Sequence, residues 1–575
     1  MKKILSFLKK DVYRILIIFT LTFLQTMTGL FLPSLMSDIV DIGIVNGDTP
    51  FILKIGGIML LVAFIGILCQ ITARFISAKL SARFSKNLRS SIFAKVESFS
   101  LPEFDKYSTA SLITRCTNDV TQVQHSLDMT LRMALSAPLT AIGGIIMAIR
   151  FGKNLTWILI FSCTALVFIM ILNFKLTVPK FQKIQKNVDK LNLITRENLS
   201  GMRVIRAFNA EGHQNEKFDQ ANKLLTNLHL VIGRIMSLLQ PMTMLIMNLT
   251  TIVVVWLGSR MVAGYSIKVG EMMAFLQYVM QIMFSFQMLS MTFIIIPRAM
   301  VSVRRIEEVL ETEPLIKDPL AEDLLSPEKL GRVEFENVSF SYPNAIEPAV
   351  CNVSFSAMPG QTTAIIGSTG SGKSTLVNLI PRLYDVSSGS VKVDGVDVRH
   401  FEQSDLRDRI GYAPQKNMLF AGTIESNIDF ARDIEFKRIE EAARIAQASK
   451  FISEKEEGFY SPIAQAGTNV SGGQKQRLSI ARAIANHPKI YIFDDSFSSL
   501  DFKTESNLKK ALNEETKDST VLLITQRVST IINADKIIVL DNGQVVGMGK
   551  HKDLLENCKV YYEIASSQLT KEELA

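Results

Sequence analysis

Long apolar runs dominate the first half of the chain, and short apolar segments dominate the second half. Six runs are long enough to cross a bilayer, which takes about 20 residues, and they lie at 13–35, 51–73, 131–150, 155–177, 236–264 and 270–296. From Arg332 onward, strand-like segments such as Lys489–Phe493 and Thr520–Ile524 alternate with helical stretches. The pattern predicts a multidomain chain, with a six-helix all-α transmembrane domain followed by an α/β domain.

The boundary between these parts is marked by a charged segment that contains several prolines, among them Pro314, Pro319 and Pro327. We predict a transmembrane domain over 1–300, a linker over 301–331 and the α/β domain over 332–575. Hydrophobic residues make up 47% of the chain and charged residues 21%, which is typical of a membrane part joined to a soluble part.

Lysine and arginine are distributed unevenly around the spans. They precede the first span and are frequent in 74–115 and 175–234, whereas the segment 36–50 has none. By the positive-inside rule we expect both termini and the α/β domain in the cytoplasm of a multi-pass protein of a bacterial plasma membrane. The net charge of +8 belongs to these orientation signals, and no basic stripe with interleaved aromatics indicates nucleic-acid binding.

The segments 74–130 and 178–235 are polar and helix-forming, so we expect the spans to continue as long helices beyond the membrane. Their tips, near Glu103–Tyr107 and Glu211–Phe218, are natural places to contact a soluble domain. The alternative is a pair of solvated helical hairpins without a partner.

One face of the last span carries Gln277, Gln281, Phe284, Met288 and Met291 at helical spacing. Polar side chains at membrane depth usually face the bundle interior or a wet cavity, and methionines adapt to varied apolar shapes. This face could line a hydrophobic substrate path. Interhelical packing held by glutamine hydrogen bonds is an equally good interpretation.

The chemistry of the second half centres on a glycine-rich loop between a β-branched strand and a helix. Such a loop cradles phosphates with backbone N–H groups; its lysine reaches the β- and γ-phosphates, and its serine offers a hydroxyl to Mg²⁺. An ordinary Gly/Ser loop is the alternative, but the strand–loop–helix context favours ATP and Mg²⁺ as ligands. The predicted nucleotide-binding residues here are Gly367, Ser368, Thr369, Gly370, Ser371, Gly372, Lys373, Ser374 and Thr375.

An acidic residue at the end of a predicted strand supports this interpretation. Four apolar residues, Ile490–Phe493, precede Asp494, as in a buried strand that delivers a carboxylate to Mg²⁺. Together with the phosphate loop, this indicates a nucleoside triphosphatase.

Between the two signals, Val470-Ser-Gly-Gly-Gln474 resembles the signature of the ATP-binding cassette (ABC) family, with Val470 in place of leucine. Further motifs of the exporter branch appear in Thr117–Asp119 and Ser200–Ile205. The resemblance therefore extends over nearly the whole chain.

The resemblance implies roles for several residues. Tyr342 would stack on adenine, Gln415 would connect the cassette to the membrane domain and reach Mg²⁺, and Asp501 would lie in the loop that crosses to an opposing cassette. Signature residues Ser471, Gly472, Gly473 and Gln474 would complete an ATP site on that second cassette. A chain with one cassette would therefore act as a dimer, with ATP binding closing the pair and hydrolysis releasing it.

Three positions depart from the family pattern. Asp495 stands where the family has a glutamate that orients the attacking water, Gln526 stands where it has histidine, and Ala464–Gly467 replaces Gly-Glu-x-Gly. Aspartate is one methylene shorter, and glutamine cannot hold a positive charge or relay a proton. We therefore predict tight ATP binding and slow cleavage through Asp495 and Gln526, unless Asp495 suffices through a bridging water.

The intact signature beside a weakened catalytic pocket favours a heterodimer with a different ABC half-transporter. We expect an ATP-driven translocase that exports amphipathic or hydrophobic compounds by alternating access, as multidrug exporters do. A lipid or peptide exporter, or a non-transporting ATP-gated protein, is the alternative.

Overall fold

The computed structural model describes residues 4, 6–319, 327–328, 330–343 and 345–570. The chain forms two compact units. The first contains Met1–Glu97 and Thr109–Thr312, and the second contains Ser98–Ser108 and Glu313–Ala575. Part of the predicted linker, 320–326 and 329, lies outside the described residues.

The first unit is helical throughout. Its helices are α1 (Val12–Asp38), α2 (Thr49–Glu97), α4 (Thr109–Thr114), α5 (Val120–Met129), α6 (Leu135–Phe151), α7 (Thr156–Ser200), α8 (Met202–Ala207), α9 (Glu211–Ala263) and α10 (Val269–Glu311). Wider π-helical turns at Ile39–Ile44, Arg115–Asp119 and Thr130–Ala134 join some of them. Helix α10 runs through the start of the segment predicted as linker.

The six predicted spans are confirmed. Within the described residues, six helical stretches are long and apolar enough to cross a membrane. These stretches are Lys9–Ile44, Thr49–Glu97, Thr109–Phe151, Lys153–Lys180, Glu211–Ala263 and Val269–Leu289. Helix α2 has 49 residues, a length of about 70 Å at 1.5 Å per residue, which is more than twice the hydrocarbon thickness of a bilayer. Helix α2 is therefore long enough to extend beyond the membrane, as expected.

Apolar packing and a few polar contacts hold the spans together. Tyr278 and Phe275 of α10 lie in a buried cluster with Leu30 and Val254. The Tyr278 hydroxyl donates to the Leu30 carbonyl at 2.9 Å, which gives the buried phenol a hydrogen-bond partner.

The second unit is the predicted α/β domain, preceded in the chain by the separate helix α3 (Leu101–Lys106). Its strands are β1 (Val333–Phe340), β2 (Val350–Ala357), β3 (Thr362–Gly367), β4 (Ser388–Val393), β5 (Val396–Asp397), β6 (Ile410–Ala413), β7 (Gly422–Thr423), β8 (Pro462–Ile463), β9 (Ile490–Asp494), β10 (Thr520–Ile524), β11 (Lys536–Asp541) and β12 (Gln544–Gly549). Its further helices are α11 (Lys373–Asn378), α12 (Gln403–Asp408), α13 (Ile424–Asp429), α14 (Phe436–Ile445), α15 (Ser449–Ser453), α16 (Gly472–Ile484), α17 (Phe502–Glu515), α18 (Val528–Ile531), α19 (His551–Asn557) and α20 (Lys559–Ser566).

A six-stranded sheet in the order β12-β11-β3-β10-β9-β6 forms the centre of this unit. Its strands β11, β3, β10, β9 and β6 run parallel, and only β12 is antiparallel. Strands β3, β9 and β10 are almost continuously apolar and buried, as strands covered on both faces must be. Their carboxyl ends meet at one edge, which is where ligands bind in open parallel sheets. A four-stranded sheet, β2-β1-β4-β5, packs beside it.

The tip predicted near Glu103–Tyr107 belongs to the second unit. The segment Ser98–Ser108 contains α3, and Leu101 packs against a core cluster of the α/β domain. The other predicted tip, Glu211–Phe218, is the first part of α9 and belongs to the first unit. The break between the two long helices there falls at 201–210 and contains the short helix α8.

Candidate nucleotide-binding site

The predicted phosphate loop lies between β3 and α11, at the carboxyl edge of the sheet. Gly370 and Gly372 adopt positive φ angles of 85° and 94°, a region that favours glycine. A Cβ atom on Gly372 would lie 2.5 Å from the Ala349 carbonyl oxygen, so this position has no room for a side chain. The backbone thus turns tightly in front of α11, as a phosphate cradle requires.

The loop lysine is held inside the loop. The Nζ atom of Lys373 donates to the carbonyl oxygens of Gly367 at 2.9 Å and Ser368 at 2.7 Å. Burial lowers the pKa of Lys373, and the carboxylates of Asp494 and Asp495 act in the opposite direction. The ammonium group is therefore desolvated and positioned for a polyanion.

Two oxygen donors meet where Mg²⁺ is expected. The Ser374 hydroxyl donates to Asp494 Oδ1 at 3.1 Å, although the two residues are far apart in sequence. Asp494 is 3% exposed, and this burial raises its pKa. A hydroxyl and a carboxylate side by side are hard oxygen ligands, so these residues fit Mg²⁺.

Tyr342 is half-buried beside the loop. Its hydroxyl lies 3.0 Å from Thr375 Oγ1, and its ring packs against Phe340 and Tyr384 at centroid distances of 4.9 Å and 5.4 Å. The structure thus places the predicted adenine-stacking residue next to the first turn of α11.

Two of the three departures from the family pattern, Asp495 and Gln526, follow neighbouring strands. Asp495 comes directly after β9 and Gln526 two residues after β10, and Asp494 pairs with Ile524 in the sheet. Asp495 has a positive φ of 49°, and its N–H donates to the Ile524 carbonyl at 2.9 Å. Gln526 is exposed, and its carbonyl accepts a hydrogen bond from Gln568 Nε2 at 2.8 Å. The sheet brings both residues to the edge that carries the phosphate loop.

Gln415 lies two residues beyond β6, the strand next to β9. It is exposed. The Ser496 hydroxyl donates to the Ala413 carbonyl at 2.9 Å and ties the start of this segment to the residues after Asp495.

The signature residues stand at the beginning of helix α16. Ser471 is the N-cap of α16: its hydroxyl accepts from the Gln474 N–H at 3.3 Å, and Gln474 Oε1 accepts from the Ser471 N–H at 3.0 Å. Ser471 and Gly472 are exposed. A capped, exposed helix start next to two glycines can present N–H groups to an anion on another molecule.

Asp501 is the N-cap of α17. Its Oδ2 accepts from the Thr504 N–H at 2.9 Å, and this bond lowers the pKa of the Asp501 carboxyl. Gly473 lies close to the preceding loop, because a Cβ atom on it would be 3.1 Å from the Ser499 carbonyl oxygen. The signature and the Asp501 loop are therefore neighbours.

Sequence reasoning missed Gln476. Its side chain is 1% exposed; Nε2 donates to the Asp495 carbonyl at 3.2 Å, and Oε1 accepts from the Ser499 N–H at 3.0 Å. This residue joins the signature helix to the candidate catalytic acid. A glutamine on the inward face of α16 was the available signal, but its partners lie about twenty residues away in the sequence.

The face of α10 singled out from the sequence divides into two parts. One part is exposed on the surface of the single chain and consists of Gln277, Phe284 and Met288. Gln281 is half-buried and donates to the Gly29 carbonyl at 3.2 Å, so it serves interhelical packing. The side chain of Met291 lies outside the described residues.

Comparisons with known proteins agree with this architecture. The model of the ABC transporter transmembrane region matches residues 15–286, and the model of the ABC transporter matches residues 350–498. An uncharacterized ABC transporter ATP-binding protein of Mycobacterium tuberculosis is 40% identical over 552 residues, which cover 95% of this chain and 94% of that protein.

Two further similarities concern a named relative and a solved structure. A fatty acid ABC transporter ATP-binding/permease protein of M. tuberculosis is 33% identical over 478 residues, covering 83% of this chain and 75% of the relative. A bacterial Atm1-family ABC exporter with ATP bound has a TM-score of 0.81, covering 98% of this chain and 99% of that chain at 24% identity. The latter supports the exporter fold.

Proposed function

The chain belongs to the ABC transporter family, and we propose that it is one half of an ATP-driven exporter of hydrophobic or amphipathic compounds. The main support is a phosphate loop with Lys373, and with Ser374 hydrogen-bonded to Asp494, in the same polypeptide as six membrane spans. Such a chain can couple nucleotide binding to movement within a membrane.

We place both termini and the cassette in the cytoplasm of a bacterial cell. The support is the concentration of lysine and arginine before the first span and in 74–115 and 175–234. Export then means movement away from the side that holds ATP.

In this proposal each group of residues at the site binds a different part of Mg-ATP. The loop from Gly367 to Thr375 receives the phosphates, with Lys373 as the counter-charge, and Tyr342 stacks on the base. Ser374, Asp494 and Gln415 would hold Mg²⁺, which neutralises phosphate charge when bound. Asp495 would orient water as the general base, and Gln526 would donate a hydrogen bond to the γ-phosphate.

We infer that hydrolysis at this site is slow. The Asp495 carboxylate is one carbon short of a glutamate, and Gln526 carries no titratable proton. The exposed helix start at Ser471 is intact, so it can complete the site of an opposing cassette. A different half-transporter that supplies a glutamate and a histidine would give the dimer one fast site and one slow site.

The substrate class is inferred from α10. Its exposed face with Gln277, Phe284 and Met288 mixes amide and flexible apolar side chains and suits amphipathic compounds. The fatty acid relative makes a lipid-like substrate the second candidate. A non-transporting, ATP-gated role would use the same slow site.

Reconstitution in liposomes, with the cassette facing outward, tests the proposal. The full chain alone is expected to bind ATP and hydrolyse it slowly, with Lys373→Ala as the control that loses binding. Addition of a half-transporter with glutamate and histidine at the two positions is expected to raise turnover and start ATP-dependent uptake of a hydrophobic dye or fatty acid. Ser471→Ala in this chain should abolish that gain.

Two outcomes would contradict parts of the proposal. Fast hydrolysis by this chain alone would overturn the division into a fast and a slow site. Hydrolysis by the complex without movement of any hydrophobic substrate would overturn the export function and favour the gating role.

A further inference from the structure

Three aromatic side chains form a compact group between the nucleotide loop and the segment Ser98–Ser108. Tyr384 lies 5.3 Å from Phe340 and 5.4 Å from Tyr342 between ring centroids, and the two tyrosine rings meet edge to face at 84°. Edge-to-face aromatic pairs have a preferred geometry, so a shift in the position of one ring favours a shift of the other. We call Phe340, Tyr342 and Tyr384 the aromatic trio.

The trio is fixed to the nucleotide loop at one end. The Tyr342 hydroxyl lies 3.0 Å from the Thr375 hydroxyl, in the first turn after Lys373. Tyr342 is also the residue proposed to stack on the base of ATP, so its ring position would depend on whether a base is present.

The trio is fixed to the segment Ser98–Ser108 at the other end. The Tyr384 hydroxyl donates to Asp105 Oδ2 at 3.0 Å, across 279 residues of sequence. Tyr384 is 7% exposed. Burial and the Asp105 carboxylate both raise the pKa of Tyr384, so the phenol keeps its proton and remains a donor over the physiological pH range.

The segment that receives this bond is held together by contacts of its own. Ser100 and Glu103 form a capping box at the start of α3, and Glu103 Oε1 accepts from the Leu315 N–H at 3.2 Å. The rings of Phe99 and Tyr107 stack across the segment. A displacement at Asp105 would therefore move α3 as a body, and the chain continues from this segment directly into two helices of the first unit.

We propose that Tyr384 is a positioning residue that transmits occupancy of the base pocket at Tyr342 to the segment Ser98–Ser108 through its hydrogen bond with Asp105. The inference rests on the proposed function, because it takes ATP as the ligand of Tyr342. It adds a specific claim: the base, rather than the phosphates bound near Lys373, controls the order of this segment.

A base-free ligand separates the two possibilities. Amide hydrogen exchange of 98–108 is measured on the full chain in nanodiscs with Mg-ATP, with Mg-tripolyphosphate and without ligand. In the native chain, ATP is expected to slow exchange by about five- to tenfold, the scale of one typical hydrogen bond, and tripolyphosphate is expected to leave it unchanged. Equal protection by both ligands would overturn the role of the base.

The variant Tyr384→Phe tests the hydroxyl alone. It keeps the ring in the core, and because Asp105 is exposed its carboxylate becomes solvated rather than buried and unpaired, so the chain should fold. ATP-dependent protection of 98–108 is expected to fall below about twofold, while ATP affinity changes little. Asp105→Asn should reduce protection in the same direction, and the double variant should be no worse than Tyr384→Phe.

Tyr561→Phe is the matched control. It removes another buried phenol, which lies 2.7 Å from His551 Nδ1, and should leave ATP-dependent protection intact. Persistent protection in Tyr384→Phe, or additive effects of Tyr384→Phe and Asp105→Asn, would overturn the inference. Absence of ATP binding to the native chain would instead contradict the proposed function on which it rests.

Discussion

Asp41 and Gly270 join the π-helical turn that follows α1 to the beginning of α10. Asp41 Oδ1 accepts a 2.6 Å hydrogen bond from the Gly270 N–H, and Oδ2 accepts from the Glu271 N–H at 3.1 Å. Ser37 adds a hydrogen bond to the same carboxylate at 3.1 Å. A Cβ atom on Gly270 would lie 2.5 Å from the Ser37 carbonyl, so the close approach of the two helices depends on glycine.

Removal of this carboxylate should loosen the start of α10. Asp41→Ala leaves two N–H groups of the first turn without an acceptor, and we expect a loss of about 1–2 kcal/mol of stability. Asp41→Asn keeps one oxygen acceptor and should lose less. Thermal unfolding in detergent, together with amide exchange at 269–272, measures both.

Asp48→Ala is the control for this comparison. Asp48 Oδ1 accepts from the Phe51 N–H at 2.9 Å within the first turn of α2. Its loss should leave exchange at 269–272 unchanged. Equal exchange in the Asp41 variants and the native chain would contradict the assigned contact.

Two glycines of the phosphate loop should respond differently to alanine. Both have positive φ, which costs about 1–2 kcal/mol for a residue with a side chain, but only Gly372 also has a carbonyl oxygen within 2.5 Å of the added Cβ. Gly370→Ala meets open space. We therefore expect a larger drop in thermal stability for Gly372→Ala than for Gly370→Ala. The loss of ATP affinity should also be larger, by a factor of at least about ten. Titration of Mg-ATP onto both variants measures the difference, and equal losses would refute the steric argument.

The raised pKa of Asp494 has a consequence for stability. Between the ordinary value of 3.8 and the raised pKa, the folded state binds more protons than the unfolded state, so stability falls as pH rises through this window. Asp494→Asn should therefore raise the apparent Tm of the ligand-free chain at neutral pH, and the gain should vanish at acidic pH. Mg-ATP affinity should fall by about 10- to 100-fold, because a charged oxygen ligand is lost.

Asp501→Asn provides the opposite case, since a hydrogen bond from Thr504 lowers the pKa of Asp501. It should not raise the Tm at neutral pH. A pH-independent gain in Asp494→Asn would show that the gain comes from packing rather than charge.

Catalytic repair is expected from two substitutions. Asp495→Glu restores the longer carboxylate, and Gln526→His restores a titratable group, so together they should raise ATP turnover of the chain alone by about 10- to 100-fold. Asp495 has a positive φ of 49°, which aspartate tolerates better than glutamate, so a small drop in Tm should accompany the gain. Steady-state phosphate release measures turnover. Unchanged turnover in the double variant would mean that Asp495 already suffices.

Local patterns explain why much of the molecule could be predicted from the sequence. The apolar runs indicated six spans. The residues Gly367 to Ser374 are contiguous in sequence, so they predicted both a phosphate-binding loop and its position after β3. Asp494 was found because four apolar residues precede it. The approach of Ser374 to Asp494 then followed because β3 and β9, which flank β10, end at the same edge of the parallel sheet.

The contacts between distant segments could not be predicted in the same way. Asp105 and Tyr384 are 279 residues apart, and Asp41 and Gly270 are 229 apart. No period or motif pairs them, since each contact depends on how whole elements pack. The same holds for Gln476, whose partners follow β9, and for the helical continuation of α10 to Glu311.

The membership of Ser98–Ser108 in the second unit also affects how the protein is made. During translation this segment leaves the ribosome long before β1, so Leu101 has no core to pack against until the later domain has folded. Packing at Leu101 therefore requires that the segment Ser98–Ser108 and the α/β domain lie on the same side of the membrane. A misinserted chain would keep an apolar surface open to quality-control proteases.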